Sequence, residues 1–227
     1  MSKKLLIFGT GEIGRLAHFY FDRDSLWDVA GFVCDDEYFD KKELLGLPCV
    51  PLSKLSHFSS KKFAVHIALS YKNLNRNRKE KFLYIKEMGY ETPSYISSKS
   101  SIWSHDIGDN CFILEDQTIQ PDVKIGNNVV LWSGNHIGHG THIADHVYIA
   151  SHAVVSGHCS IGERTFIGVN AAIKDFTNIG EACFVGMGVN ITKDCKNGDV
   201  ILPEKTTIID NETPLATKIK KKYFGDF

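Results

Sequence analysis

Six of the ten histidines of this 227-residue chain crowd into one stretch: His136, His139, His142, His146, His152 and His158. Imidazole is both basic and neutral near pH 7, so such a cluster suggests general-base chemistry or metal ligation. His139 differs from the other five in lying between glycines, in Ile137-Gly138-His139-Gly140, which leaves room beside its ring for a substrate. A second signature opens the chain. Gly9-Thr10-Gly11-Glu12-Ile13-Gly14 follows an apolar run and precedes Arg15, and Asp35 and Asp36 come about twenty residues later. Glycines spaced in this way let backbone N–H groups and a helix N-terminus approach a phosphate.

The elements that would position these groups are marked by a strict period of six from His105 to Asp194. Each of the fifteen units carries an aliphatic residue at its third position, from Ile107, Ile113 and Ile119 through Leu131 and Val155 to Val185 and Ile191. One short strand plus one corner uses about six residues, and three such sides close a triangular parallel β-helix of about five coils. The residue two before each aliphatic is mostly small, as in Cys111, Ala153 and Cys159, and is expected to point inward. The residue after it is often Gly or Ala, as in Gly108, Gly126 and Gly138, which suggests that the chain turns there.

This period sorts the histidines. His136 and His142 precede inward aliphatics and should face out, whereas His146, His152 and His158 end successive units and should point away from three different corners. No convergence within one chain, and no metal site, is expected. His139 falls at a fifth position, and residues eighteen apart stack in neighbouring coils about 4.8 Å apart, so it should lie beside Gly157. A bare glycine there could offer its N–H to a developing oxyanion while His139 acts as general base.

The first hundred residues read differently. Strands are expected at Lys4 to Phe8, Val29 to Cys34 and Phe63 to Leu69, with helices from Arg15 to about Phe21 and from about Asn75 to Met88. The alternation implies a small Rossmann-like parallel sheet of about three strands, too short for a full dinucleotide domain and better sized for a mononucleotide or nucleotide-sugar. Asn75 and Arg78, beyond the end of the third strand, are candidate phosphate contacts. The expected organisation is an α/β domain over residues 1–95, a left-handed parallel β-helix over 96–198 and a tail over 199–227.

Net charge is −1 with both signs interspersed, which gives no footprint for nucleic acid. No apolar run spans a bilayer, so no membrane association and a cytoplasmic location are expected. The six cysteines contain no CxxC pair, and Cys111, Cys159 and Cys183 behave as small apolar residues.

The glycine turn with Asp35-Asp36, the hexapeptide run and the block GNHIGHGTHIADHVYIASHAVVSGHCSIGERTFIGVNAAI together resemble the left-handed β-helix nucleotide-sugar acetyltransferases. The likeness is to bacillosamine-pathway N-acetyltransferases and sialic-acid O-acetyltransferase-like proteins. It implies a homotrimer that binds acetyl-CoA between adjacent coils and a nucleotide-sugar on the first domain. By matching units, the catalytic histidine falls on His139 and the glycine at the acetyl carbonyl on Gly157. The pantetheine channel falls on Val169, Asn170, Gly186, Met187 and Gly188. Phosphates would lie at Gly9, Thr10, Gly11, Glu12, Gly14 and Arg15, and the nucleobase or ribose near Asp35 and Asp36. The implied reaction is N-acetylation of a nucleotide-linked amino-deoxyhexose, of the 4-amino-4,6-dideoxy type, in surface-glycan biosynthesis. O-acetylation, a zinc hydratase and a noncatalytic trimeric subunit are the alternatives. Relatives carry a carboxylate directly after the histidine where this chain has Gly140, so Asp122 and Asp145 are the candidate orienting acids.

Overall fold

The computed structural model describes residues 3–225. Met1, Ser2, Asp226 and Phe227, at the ends of the expected first domain and tail, lie outside the described residues. The first domain runs β1 (Lys4–Phe8), α1 (Glu12–Arg23), β2 (Asp28–Cys34), β3 (Glu43–Leu44), β4 (Leu47–Pro51), β5 (Phe63–Ile67) and α2 (Arg76–Glu87). Its sheet has the order β3-β4-β2-β1-β5, parallel except for β3. Five strands stand where about three were expected. The missed pair is a hairpin closed by Leu45-Gly46, both at positive φ. Such turns usually announce themselves with Asn-Gly or Asp-Gly, and a leucine in the left-handed region gives no such signal.

The coil begins at Tyr95–Ile96 and ends at Val200–Ile201, so it extends beyond the hexapeptide run at both ends. Its two-residue strands form three parallel sheets of seven, six and five strands. The seven-stranded side runs through Phe112–Ile113, Val130–Leu131, Tyr148–Ile149 and Phe166–Ile167. The second runs through Thr118–Ile119, His136–Ile137 and Val154–Val155, and the third through Lys124–Ile125, His142–Ile143 and Ser160–Ile161. Hydrogen bonds join consecutive coils, as in Phe112 N–H to the Val129 carbonyl at 2.8 Å and Val130 N–H to the Val147 carbonyl at 3.0 Å. The third-position aliphatics and the small residues two before them fill the interior, with Ile137, Ile149, Ala153 and Cys183 fully buried.

The turn chemistry differs from the expected one. Every unit from the one ending at Asn110 to the one ending at Gly188 closes on a residue with φ between 52° and 80°, so the left-handed corner lies at the sixth position, not the fourth. The fourth-position glycines serve close approach instead. A Cβ on Gly138 would lie 2.5 Å from the Gly157 nitrogen of the next coil.

One side of the triangle is not free. Tyr95, Phe112, Leu114, Val130 and Tyr148 form a single core with Leu5, Ile7, Phe21 and Phe32 of the first domain. Val130 and Tyr148, which precede inward aliphatics and so face out from the coil, are 4% and 3% exposed because the first domain covers them. We call this seven-stranded face the docked side. Val154, on the second side, does remain exposed.

The seam is polar at one corner. Arg78 is fully buried, and its guanidinium donates to the Asn128 carbonyl, to Asn128 Oδ1 at 3.1 Å, and to the carbonyls of His146 and Val147 at 3.1 and 3.2 Å. Asn75 Nδ2 donates to the Arg164 carbonyl at 3.0 Å. His146, expected at the surface, is buried here, its Nδ1 accepting from Asn128 Nδ2 at 2.9 Å. Burial pushes its pKa down to about 4, with the nearby Arg78 charge adding to the effect. His66, fully buried with its Nδ1 3.0 Å from the Pro93 carbonyl, is pushed down to about 4 mainly by desolvation.

Both histidines are therefore neutral when folded and take up protons on unfolding between pH 4 and 6.5. Their contribution to stability is complete above about pH 6.5 and declines as the pH falls. Urea unfolding at pH 5 should show a loss on the order of 2 kcal/mol per histidine relative to pH 7. A His66→Gln, His146→Gln double variant should lose less stability over the same interval.

Candidate functional site

The glycine turn is a built structure. Gly9 ends β1 with φ +129°, and a Cβ on it would meet the Ala68 carbonyl oxygen at 2.5 Å. A Cβ on Gly14 would sit 1.9 Å from the Gly9 carbonyl oxygen, so this glycine is what lets α1 seat on the end of β1. Gly11 precedes the helix and faces open space. Thr10, Gly11 and Arg15 line a cavity of about 200 Å³ together with Cys34, Tyr38, Asp40, Lys41, Leu44 and Cys49. Tyr38, Asp40 and Lys41 went unnoticed in the sequence because the missed hairpin brings their loop over the turn. Glu12 is exposed in the first turn of α1.

The acidic pair is occupied within the chain. Asp35 forms an ion pair with Lys81 on α2. Asp36 accepts from the Ser53 N–H at 3.0 Å and from the Ser53 hydroxyl, bonds that hold its carboxyl below the usual range. Asn75 and Arg78 are not in this cleft. Both are fully buried in the seam against coil carbonyls, so their expected phosphate contacts give way to a role in joining the two domains.

His139 stands exposed on the corner between the second and third sides of the coil, the corner opposite the docked side. Its backbone N–H donates to Gln120 Oε1 at 2.9 Å, and its Nδ1 lies 3.2 Å from the same oxygen. Neither Asp122 nor Asp145 fills the expected orienting role. Asp145 instead accepts from the Asn127 N–H at 2.7 Å, on a different corner. Gly157 lies against His139 as expected, since a Cβ there would come within 2.8 Å of the ring. Its N–H, however, donates to Asp175 Oδ1 at 2.8 Å. Gly157 thus supplies space, and its amide is already engaged, contrary to its expected role as an open oxyanion donor.

The histidines do meet on this corner. The His158 ring lies edge-on to His139 with centroids 4.7 Å apart, and Phe176 stacks on His158 at 5.1 Å. Among the described residues no group of three or more His, Cys, Asp or Glu is placed to hold a metal ion.

Val169, Asn170, Gly186, Met187 and Gly188 lie on another corner, between the docked and second sides, one side of the triangle away from His139. Met187 and Val169 are exposed apolar side chains there. Gly186 is buried, with Pro203 of the tail 3.1 Å from where its Cβ would be, because Val200–Ile201 adds a rung above Phe184–Val185. Beyond that rung the tail ends in α3 (Pro214–Phe224), capped by Thr213, whose hydroxyl accepts from the Ala216 N–H at 3.2 Å.

The family model of the GMPPB C-terminal domain matches residues 107–214, fewer than half of the 227 residues. No curated protein sequence matches the chain. Among solved structures, it is similar to a histidine-to-asparagine mutant of perosamine N-acetyltransferase from Caulobacter crescentus, in complex with CoA and GDP-perosamine. That likeness has a TM-score of 0.78 at 20% identity and covers 87% of this chain and 92% of the other. The acetyltransferase domain of PglB from Neisseria gonorrhoeae, in complex with acetyl coenzyme A, matches with a TM-score of 0.78 at 22% identity over 88% and 96% of the two chains. WeeI from Acinetobacter baumannii matches with 0.75 at 23% over 92% and 100%. The chain therefore has the fold of the left-handed β-helix sugar N-acetyltransferases, a small α/β domain followed by a triangular parallel coil.

The glycine geometry makes a direct test of the turn possible. Gly14→Ala should cost about 1 to 3 kcal/mol in chemical denaturation, since the new methyl overlaps backbone, whereas Gly11→Ala should leave stability nearly unchanged.

Proposed function

We propose that this protein transfers an acetyl group from acetyl-CoA to the amino group of a nucleotide-linked amino-deoxyhexose, of the 4-amino-4,6-dideoxy type, in surface-glycan biosynthesis. The observation that carries the proposal is His139. It is an exposed imidazole on a coil corner, held through Nδ1 and set beside a residue without a side chain. The likeness to folds solved with CoA and GDP-perosamine, and with acetyl coenzyme A, supports the choice of substrates.

In the proposed reaction His139 Nε2 takes the proton as the amine attacks the thioester carbonyl. The new C–N bond forms, the C–S bond breaks, and the thiol leaves with the proton relayed from His139. Positioning two substrates together replaces a bimolecular encounter with an oriented one. The cavity bordered by Thr10, Gly11 and Arg15 would hold the nucleotide-sugar, with the N–H groups at the start of α1 facing its phosphates. The corner bearing Val169, Asn170, Met187 and Gly188 would line the pantetheine arm.

These parts belong to different faces of one chain. The cavity is in the domain that covers the docked side, and His139 is on the opposite corner. A complete site therefore combines the cleft of one chain with the corner of another. A homotrimer, in which coils pack side by side and cover Val154, satisfies this.

Thiol release should be followed with acetyl-CoA against UDP-, dTDP- and GDP-linked amino sugars and their hydroxyl counterparts, with product mass. Turnover on an amino sugar with one acetyl added is expected, and His139→Asn should lower kcat by about 10² to 10⁴ with little change in nucleotide-sugar affinity. Turnover confined to hydroxyl acceptors would replace N- with O-transfer, and silence throughout would leave a noncatalytic binding subunit. For the shared site, mixing and reassembling inactive His139→Asn chains with inactive Arg15→Ala chains should restore part of the activity. A site contained within one chain would give none.

A further inference from the structure

His139 is capped from the opposite direction to four other fifth positions of the coil. At those four the backbone N–H is taken by a side-chain oxygen from the next coil. Asp109 N–H donates to Asn127 Oδ1 at 2.9 Å, Asn127 N–H to Asp145 Oδ1 at 2.7 Å, Gly157 N–H to Asp175 Oδ1 at 2.8 Å and Glu181 N–H to Asn197 Oδ1 at 2.9 Å. For His139 the corresponding residue is Gly157, which has no side chain, and the acceptor comes from the preceding coil, Gln120. Reversing the direction of the cap clears the space above the imidazole. It also brings one acceptor within reach of both the His139 N–H and Nδ1.

We infer that Gln120 is the positioning residue of His139, a neutral amide that fixes the reactive tautomer in the place where a carboxylate was expected. The inference deepens the acetyl-transfer reading and rests on it only for its kinetic consequences. The backbone N–H points at Oε1, so the oxygen and not the NH2 faces His139. Nδ1 must then carry the proton it donates, which leaves the Nε2 lone pair free to accept one. A carboxylate would orient the ring in the same way and also stabilise the imidazolium, whereas the amide orients without adding charge. The other charged or titratable groups at this corner are His158, edge-on to the ring, Asp175 on the Gly157 N–H, Asp122 two residues beyond Gln120, and Lys174 beside Asp175.

The test separates positioning from support of the coil. Gln120→Glu keeps an oxygen for both N–H groups and adds charge, and Gln120→Leu removes the acceptor. In ¹⁵N-labelled protein, with His139 resonances assigned through a His139→Asn variant, the wild-type ring is expected as the Nδ1–H tautomer. Gln120→Glu should raise the pH of half-protonation of His139 by about one unit or more, also in a His158→Gln background. The acid limb of the kcat/KM profile should move by the same amount. Gln120→Leu should lower kcat about 10- to 100-fold with KM little changed, and Gln120→Glu should recover part of it below its own shift. A His139 titration in Gln120→Glu that matches wild type, or a wild-type ring protonated on Nε2 instead, would overturn the assignment. Inactivity of every form toward every acceptor, with the titration shift present, would overturn the acetyl-transfer reading and support the pairing.

Discussion

The backbone ladder between residues about eighteen apart is the constraint from which the rest of this structure follows. Once each strand donates to the coil above it, as Val130 does to Val147 and His136 to Ala153, the side chains of successive coils stand in columns roughly one strand spacing apart. Interior columns are filled by aliphatics and small residues, and their content is interchangeable within narrow volume limits. Corner columns are exposed to different surroundings, and there the same register places unlike groups together. One corner stacks Asn110, Asn128 and His146 under the first domain, while another stacks Gln120, His139, His158 and Phe176 in the open.

The seam with the first domain uses both kinds of column. Its apolar part is one continuous core in which Phe21, Tyr95 and Phe112 pack as aromatic neighbours. Its polar part centres on Arg78, whose donors reach the carbonyls of Asn128 and His146 and share that of Val147 with the coil ladder. A charge can remain there because three carbonyls of two adjacent coils converge on it. Burial still lowers its pKa to about 10. The covered face orients the first domain, and with it the glycine turn, relative to the free corner.

The free corner differs from the seam in every one of these respects. It is uncovered, its ring is held by an uncharged acceptor, and the next coil contributes a glycine where four other fifth positions receive a capping carboxylate or amide. The Gln120 side chain takes both the His139 N–H and the Nδ1 edge of the ring, and the glycine above leaves the other edge open.

The period of six, read in the sequence, determined the parallel coil, because no other fold returns an aliphatic residue to the interior every six residues for fifteen units. The glycine spacing gave the strand–glycine–helix opening, and stacking arithmetic gave the contact of His139 with Gly157. Local pattern could not reveal what lies across the chain from each residue. Asn75 and Arg78 have the composition of a phosphate-binding loop, yet packing turned them into the seam. Asp35 and Asp36 were taken by Lys81 and Ser53, and Val130 and Tyr148 were covered from within. Gln120 went unmarked because it lies nineteen residues from His139 and meets it from the preceding coil, off the eighteen-residue register. Periodicity fixes which residues share a column. Which column is covered, and which donor meets which acceptor, depends on long-range packing and was decided only by the tertiary structure.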